Sequence, residues 1–238
     1  MNSGFYKDLD TNFEQACEMS EKVYSHDELI CMLGNGNIPQ KQIAALRLDY
    51  VSSDNEANIL IRNLTGCDGK IREAVAMKIN QLLLADEKYI EYFSATNFAD
   101  IFADATIDIN ANICRLVVDS VSKLIENSEF AEKYKSKILN FIHEAFLKLD
   151  SFIFRDKKYV INKQLFKLYW CLEALKSFVD LVDEKELFEI LSKSASEREY
   201  TIREKAAQII VTLDSSYDAL KEQLKKDENY YVRIVFKS

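Results

Sequence analysis

Three arginines occupy the same position in a recurring pattern. Arg72, Arg203 and Arg233 each follow a β-branched residue at the start of a predicted helix: Ile71-Arg72-Glu73-Ala74-Val75-Ala76, Ile202-Arg203-Glu204-Lys205-Ala206-Ala207 and Val232-Arg233-Ile234-Val235. A guanidinium presents a planar fork of donors. A row of them can hold an anionic ligand, or it can tie neighbouring turns of the chain together. Asp68 and Asn229 stand four residues ahead of two of these arginines, and they are the expected partners. Arg72, Arg203, Arg233 and Asp68 are therefore read as a structural ladder.

A second group could bind. Ser151–Val160 interleaves Phe152 and Phe154 with Arg155, Lys157 and Lys158 in a predicted loop. Aromatics flanked by cations are how single strands are held. The plainer alternative is that the phenylalanines plug the core beneath solvated lysines. Tyr169 and Trp170 lie one helix further on, and Trp170 falls off the predicted apolar face, where an exposed indole would anchor an interface. Tyr230 and Tyr231 flank the third arginine. Tyr169, Trp170, Arg155, Lys157, Lys158, Tyr230 and Tyr231 are the candidate partner-binding residues.

Residues for catalysis are sparse. The two histidines, His26 and His143, lie in no metal-ligand spacing, and the closest cysteine pair is 14 residues apart. A zinc site needs four converging N or S ligands, so no metal is expected. His143 sits among apolar neighbours on a predicted helix, and His26 sits inside a capping sequence. There is no nucleophile elbow and no glycine-rich phosphate loop. Gly34-Asn35-Gly36 reads as a turn. Asp100, Asp104 and Asp108 recur every four residues, as on a solvated helix face or near a helix end. No catalytic residue and no cofactor are expected, and the chain reads as a non-enzyme.

The elements that must carry these residues are helices. With Ile71 as position 1, apolar residues fall at positions 1, 5, 9 and 12: Ile71, Val75, Ile79 and Leu82. That spacing is one face of a 3.6-residue period. The frame recurs at Ile113, Ile161 and Ile202, and more weakly at Gln40, and it begins again at Val232. The starts at 40, 71, 113, 161, 202 and 232 lie close to the roughly 30 to 47 residues per unit of helix-pair repeats. Partner helices are expected over Asp27–Leu33, Glu56–Leu64, Phe98–Ala103, Glu129–Leu149, Glu184–Ser192 and Tyr217–Lys226. Capping boxes are expected at Ser25–Glu28, Ser53–Glu56, Asp183–Glu186 and Ser196–Glu199, with another, Thr11–Glu14, opening a leading helix over Thr11–Tyr24.

Asp68-Gly69-Lys70-Ile71-Arg72-Glu73-Ala74-Val75-Ala76 and Tyr200-Thr201-Ile202-Arg203-Glu204-Lys205-Ala206-Ala207, with the fragment Asn229-Tyr230-Tyr231-Val232-Arg233, resemble the HEAT-repeat family. Its second helix opens Asp-x-x-Val-Arg-x-x-Ala. The copies at Gln40, Ile113 and Ile161 are degenerate. The resemblance spans about Ser25 to Ser238. It implies an all-α, right-handed α-α superhelix, an armadillo-like helical solenoid of about five to six helix pairs. The expected organisation is one domain over 1–238, with residues 1–24 as an N-terminal capping helix and 25–238 as repeats, the last incomplete. In this family the arginine position is usually structural, and the second helices line a concave binding face.

Composition agrees with helices. The 238 residues hold five glycines and one proline, with neither after Gly69. Tight β-turns and phosphate loops need glycine. No run is long and apolar enough to cross a membrane, and the start lacks the pattern of a signal peptide. Five scattered cysteines suit reduced thiols, and a cytoplasmic location is expected. Net charge is −8. Residues 131–170, however, carry nine bases against four acids, enough local asymmetry to steer an anionic partner.

The expected function is a non-enzymatic protein–protein interaction scaffold, or adaptor, that binds on the concave face. The partner is expected to be another protein, with nucleic acid and membrane not expected. Tyr230, Tyr231, Val232, Ile234, Val235 and Phe236 are too apolar for a polar cap, so the expectation is either that the chain is a fragment or that this end packs against another protein or, by self-association of the C-terminal repeat, against a second copy. Two alternatives stand beside this reading. The basic 133–167 stretch leaves room for a nucleic-acid role resembling the DNA alkylation-repair glycosylases, although those look basic and tryptophan-rich, and this chain has one tryptophan. Bilin lyases also resemble HEAT repeats, and they are the precedent for a small-ligand binder.

Overall fold

A computed structural model describes residues 11, 13–15, 17–151 and 158–237, with side chains in the 158–160 turn not described. Among the described residues there is no strand, and from His26 onward there are thirteen α-helices. They are α1 (His26–Asn35), α2 (Ile38–Arg47), α3 (Asp54–Ile61), α4 (Gly69–Ala85), α5 (Lys88–Phe93), α6 (Ala99–Thr106), α7 (Ala111–Leu124), α8 (Ser128–Ser151), α9 (Lys158–Leu175), α10 (Glu184–Ala195), α11 (Tyr200–Ile210), α12 (Asp218–Leu224) and α13 (Tyr230–Ile234). No described helix is long and apolar enough to cross a membrane. The helices form two compact units, 1–130 and 131–238, whose boundary falls inside α8.

In the first unit α2, α4 and α7 pack in succession as one layer, and α1, α3 and α5 form the other. In the second unit α9, α11 and α13 form one layer, with α10 packed on α11 and on α12. This is helical-repeat solenoid packing, in which each helix pair buries its apolar stripe against the next. The repeat frame explains the stripe. Ile113, Val117, Val121 and Leu124 on α7 are all at most 1% exposed, and Ile202, Ala206 and Ile210 on α11 are fully buried.

The frame on α9 differs from expectation. Ile161, Leu165 and Tyr169 are only half-buried, whereas Gln164, Leu168, Leu172 and Leu175 are buried. The buried stripe therefore starts at 164, three residues later. A half-turn of polar and aromatic side chains hid this, because Gln164 holds a position that is apolar in the other copies. The shift moves Phe166 and Trp170 to positions 3 and 7, the outward row held by Glu73 and Met77 on α4 and by Glu204 and Gln208 on α11.

Most helix starts follow the expected chemistry. Ser25 and Glu28 form a full capping box, and Asn37 and Gln40 form another at α2. Ser53 caps α3, but the Glu56 carboxylate reaches the amide of Ser52 instead of Ser53. Asp183 accepts from the amides of Lys185 and Glu186, while the Glu186 side chain turns to His143. The expected box at Ser196–Glu199 does not form. Ser196 closes α10, and Glu199 precedes α11 without a side-chain cap bond. Pro39 lies in the first turn of α2, where its missing amide costs nothing. Described positions in 11–20 are helical, and Asn12 of the leading box lies outside the described residues.

Candidate functional site

The arginines are anchored in a repeated geometry. Arg72 donates from Nε to Asp108 Oδ2 at 2.6 Å and from Nη2 to Asp108 Oδ1 at 3.2 Å. Its Nη1 clamps the carbonyls of Gly66 and Cys67 at 2.8 and 3.1 Å. Arg203 reproduces this with Asp227, at 2.7 and 3.0 Å, and with the carbonyls of Glu197 and Arg198, at 2.9 and 2.8 Å. Each arginine bonds an aspartate that stands two residues ahead of the cap of the next second helix. Both pairs are buried, with side chains at most 10% exposed.

The bonds to Asp108 and Asp227 raise the two guanidinium pKa values above their ordinary one. The bond from Arg203 holds the Asp227 carboxyl below the usual carboxylate range. Bidentate, desolvated pairs are the strong class of charge-assisted bonds.

The partners expected from sequence are helix caps instead. Asp68 Oδ1 accepts from the amides of Lys70 and Ile71, and Asn229 Oδ1 accepts from the amide of Tyr231. Their acceptor oxygens are spent on the orphan amides of their own helix starts. Asp108 was expected on a solvated face or near a helix end, and it is the residue that sequence reading missed. The signal was present: Asp108-Ile109-Asn110 matches Asp227-Glu228-Asn229, and in both copies the aspartate also accepts the asparagine amide at 2.8 Å. On α7 the arginine position is Cys114, whose thiol donates to the Asp108 carbonyl at 3.0 Å. Burial pushes the Cys114 pKa up to about 12.

The layer of α9 and α11 carries a cluster of ionisable side chains. Glu173 Oε2 accepts from Lys176 Nζ at 2.7 Å and pairs with Lys205 Nζ at 2.5 Å. Lys176 and Lys205 both donate to Gln208 Oε1, at 2.5 and 3.3 Å, and Gln208 Nε2 donates to Glu204. Lys205 Nζ also sits 4.5 Å from the centre of the Tyr169 ring, within cation–π range. Burial alone would raise the Glu173 carboxyl, but the two lysines outweigh it and hold it below its usual range. Burial lowers Lys176. Lys205 is raised, because the bonds to Glu173 and Tyr169 overcome its burial.

Beside this network, Trp170 meets Phe166 and Tyr169 edge-on, with centroids 6.3 and 5.2 Å apart. Trp170 is half-buried, and its indole N–H is buried without an acceptor. The expectation of an exposed tryptophan anchor is thus replaced by an indole wedged into an aromatic cluster.

The other candidates are dispersed. Arg155 and Lys157 lie outside the described residues, as does the side chain of Lys158. Within the basic stretch, Lys135 donates to Glu132 and to the Leu181 carbonyl, and Lys148 and Lys167 flank Glu144. Tyr230 and Tyr231 are 57% and 58% exposed at the start of α13.

In the first unit a cleft of about 560 Å³ is lined by Tyr24, His26, Arg47, Asp49 and Tyr50. Its polar groups are largely engaged. His26 stacks on Tyr50 at 4.1 Å and lies 3.1 Å from Glu56, and Arg47 donates to the carbonyls of Ser20 and Lys22. Among the described residues no three His, Cys, Asp or Glu side chains converge as a metal site would need.

No family model and no curated protein matches the chain. Solved structures do. An engineered protein solved by a structural genomics consortium aligns with a TM-score of 0.55 at 12% identity, covering 90% of this chain and 96% of that one. A protein from a study of computationally designed armadillo repeat proteins for modular peptide recognition aligns with a TM-score of 0.51 at 11% identity, covering 90% and 97%. A designed armadillo repeat protein aligns with a TM-score of 0.50 at 10% identity, with the same coverage. The fold is that of an all-α helical-repeat protein.

Proposed function

We propose that this chain is a non-enzymatic protein-binding scaffold of HEAT-like repeats. On this reading an extended segment of a protein partner lies across the second helices of the second unit, α9 and α11. The helix pairs and the Arg72–Asp108 and Arg203–Asp227 ties favour the HEAT type. The observation that supports the binding reading is the band formed by Phe166, Tyr169, Trp170, Glu173, Lys176, Glu204, Lys205 and Gln208. It offers aromatic surface, donors and acceptors of both signs, already held in place by one another. Groups that are preorganised and half-desolvated bind at a lower ordering cost, and aromatic anchors carry most interface energy. The designed armadillo proteins of the same fold are described as made for peptide recognition.

The test is selection of a displayed random-peptide library on the intact chain. The expected result is an enriched peptide family whose binding to Tyr169→Ala or Glu173→Gln protein falls at least about tenfold, the 1.4 kcal/mol typical of a single anchor. Enriched peptides that bind both variants as well as the parent would refute the assignment to this face. Affinity for oligonucleotides that falls steeply with salt would move the function to the basic 133–167 stretch.

A further inference from the structure

In the second unit a groove of about 520 Å³ lies between α10 and the turn Ser215–Tyr217 that leads into α12. Glu184, Lys185, Phe188, Glu189, Ser216 and Tyr217 line it. Its walls are two consecutive first helices that pack on each other. None of its residues belongs to the band on α9 and α11.

The groove is aromatic inside. Phe188 is 42% exposed and lies tilted against Tyr217, with ring centroids 5.7 Å apart, while Tyr217 is 3% exposed. The Tyr217 hydroxyl is buried without a hydrogen-bond partner, and such a group costs stability until something bonds it. Burial and the charges of Glu184 and Asp214 push its pKa up, so it stays a neutral hydroxyl.

The rim is acidic. Residues 180–189 carry five acids against one base. Some of these carboxylates are already claimed: Glu186 meets His143, Asp183 caps α10, and across the groove Asp214 turns back onto the amide and hydroxyl of Ser216. Glu184 and Glu189 are exposed, and neither makes a hydrogen bond or ion pair with a described residue. The one base, Lys185, is exposed on a long stem and pairs with neither of them.

We propose that this groove takes an arginine side chain from a basic segment of a protein partner. A guanidinium is flat and weakly hydrated, so it can stack on an aromatic face while its edge donors meet carboxylates. Phe188 supplies the face, and Glu184 and Glu189 supply the charge. An apolar visitor would strip water from two carboxylates and give nothing back, and an acidic one would be repelled. The volume is that of an ordinary small-ligand site, about 300–1,000 Å³, with room for one such side chain and its flanking backbone. The net charge of −8 steers a basic segment toward the chain. Because the groove lies outside the α9–α11 band, its failure would leave the proposed function standing.

The experiment is fluorescence anisotropy of the intact chain with a labelled glycine–serine peptide carrying two arginines, beside the same peptide carrying two glutamines. The arginine peptide is expected to bind and the glutamine peptide to stay free. The double variant Glu184→Gln with Glu189→Gln should weaken binding at least about tenfold, and Phe188→Ala about two- to fivefold. All three side chains are exposed, so the melting temperatures should stay near that of the parent. Glu87→Gln with Glu91→Gln removes the same charge from exposed positions in the first unit and should leave the affinity unchanged. An arginine peptide that does not bind, or an equal loss in the Glu87 and Glu91 control, would overturn the inference. So would a loss caused by Tyr169→Ala, which would place the peptide on the α9–α11 band instead.

Discussion

The seam between α4 and α7 and the seam between α9 and α11 are built on the same helix-pair plan, but they use polar residues differently. In the first, the bridging groups are mostly neutral, short or spent on backbone. Asn80 reaches Ser120 and the Leu116 carbonyl, Glu73 accepts from Asn110 and Asn112, and Lys123 donates to the Leu83 carbonyl. In the second, Glu173, Lys176, Lys205 and Gln208 form one charged cluster against Tyr169. The first arrangement fastens two helices. The second holds several ionisable groups at partial burial, where they keep donor and acceptor capacity toward a visitor. On the proposed reading, recognition belongs to the second of these seams. The arginine ties are common to both units, and their loss is expected to be read in stability.

The largest expected effect comes from cutting a tie. Removing one member of a buried, bidentate pair strands the other, at about 3–5 kcal/mol. Arg203→Ala and Arg72→Ala should each cost about that much in urea unfolding monitored by circular dichroism, and both should do so whatever becomes of binding. A loss under about 1 kcal/mol in either case would show that the tie is not what fixes the stack.

Glu173→Gln should be milder, since the cluster is half-exposed, and it separates the two seams. It leaves Lys176 and Lys205 facing each other across an amide, so the melting temperature should fall modestly and should fall further at low salt. An equivalent change in the first seam, Asn80→Ala, should show no such salt dependence.

The pH response follows from the shifts. Glu173 and Asp227 have depressed pKa values in the folded chain. Their contributions are present above the ordinary carboxylate pKa and are lost as pH falls through the lower, folded values. Stability should therefore decline on the acid side, and Asp227→Asn should flatten that decline. Burial lowers Lys78 on α4. The unfolded chain holds that proton more tightly, so Lys78 disfavours folding at neutral pH and its penalty is relieved as pH rises toward 10.5. Lys78→Met should raise the melting temperature at pH 7.

The smallest effects concern single groups. Trp170→Phe should be close to neutral in stability, because it removes an indole donor that has no acceptor. Trp170→Ala should destabilise by emptying the aromatic cluster. At mildly alkaline pH, iodoacetamide should modify the exposed Cys17, Cys31 and Cys67 and spare the buried Cys114 and Cys171 until the chain is unfolded. Early loss of the Cys114 thiol would mean that the α7 start is not closed.

Periodicity made the fold legible, because burying one stripe of a helix is a local demand that leaves its mark every three or four residues. Ile71, Val75 and Ile79 show it, and so does α8. α5 was not legible: Lys88–Phe93 is a single short helix with too few turns for a period to appear. Three features of the site were hidden for a different reason. The Asp108 and Asp227 partners lie 36 and 24 residues from their arginines, and no local rule links such positions. Comparing the repeats with one another was the only route. The register of α9 was masked by Gln164 in a core position, so Tyr169 was placed on the buried face and Trp170 off it. The Lys205–Glu173 pair draws on two helices, and neither residue stands out alone.

One measurement bears most directly on the account. A peptide selected on the intact chain should be titrated, by calorimetry, against the parent and against one substitution in each seam, Glu173→Gln and Met77→Ala, with the melting temperature of each protein recorded. At least about a tenfold loss is expected for the α11-facing Glu173→Gln, with an unchanged affinity for Met77→Ala. Equal losses in both, or a loss only at Met77, would contradict the assignment of recognition to the second seam.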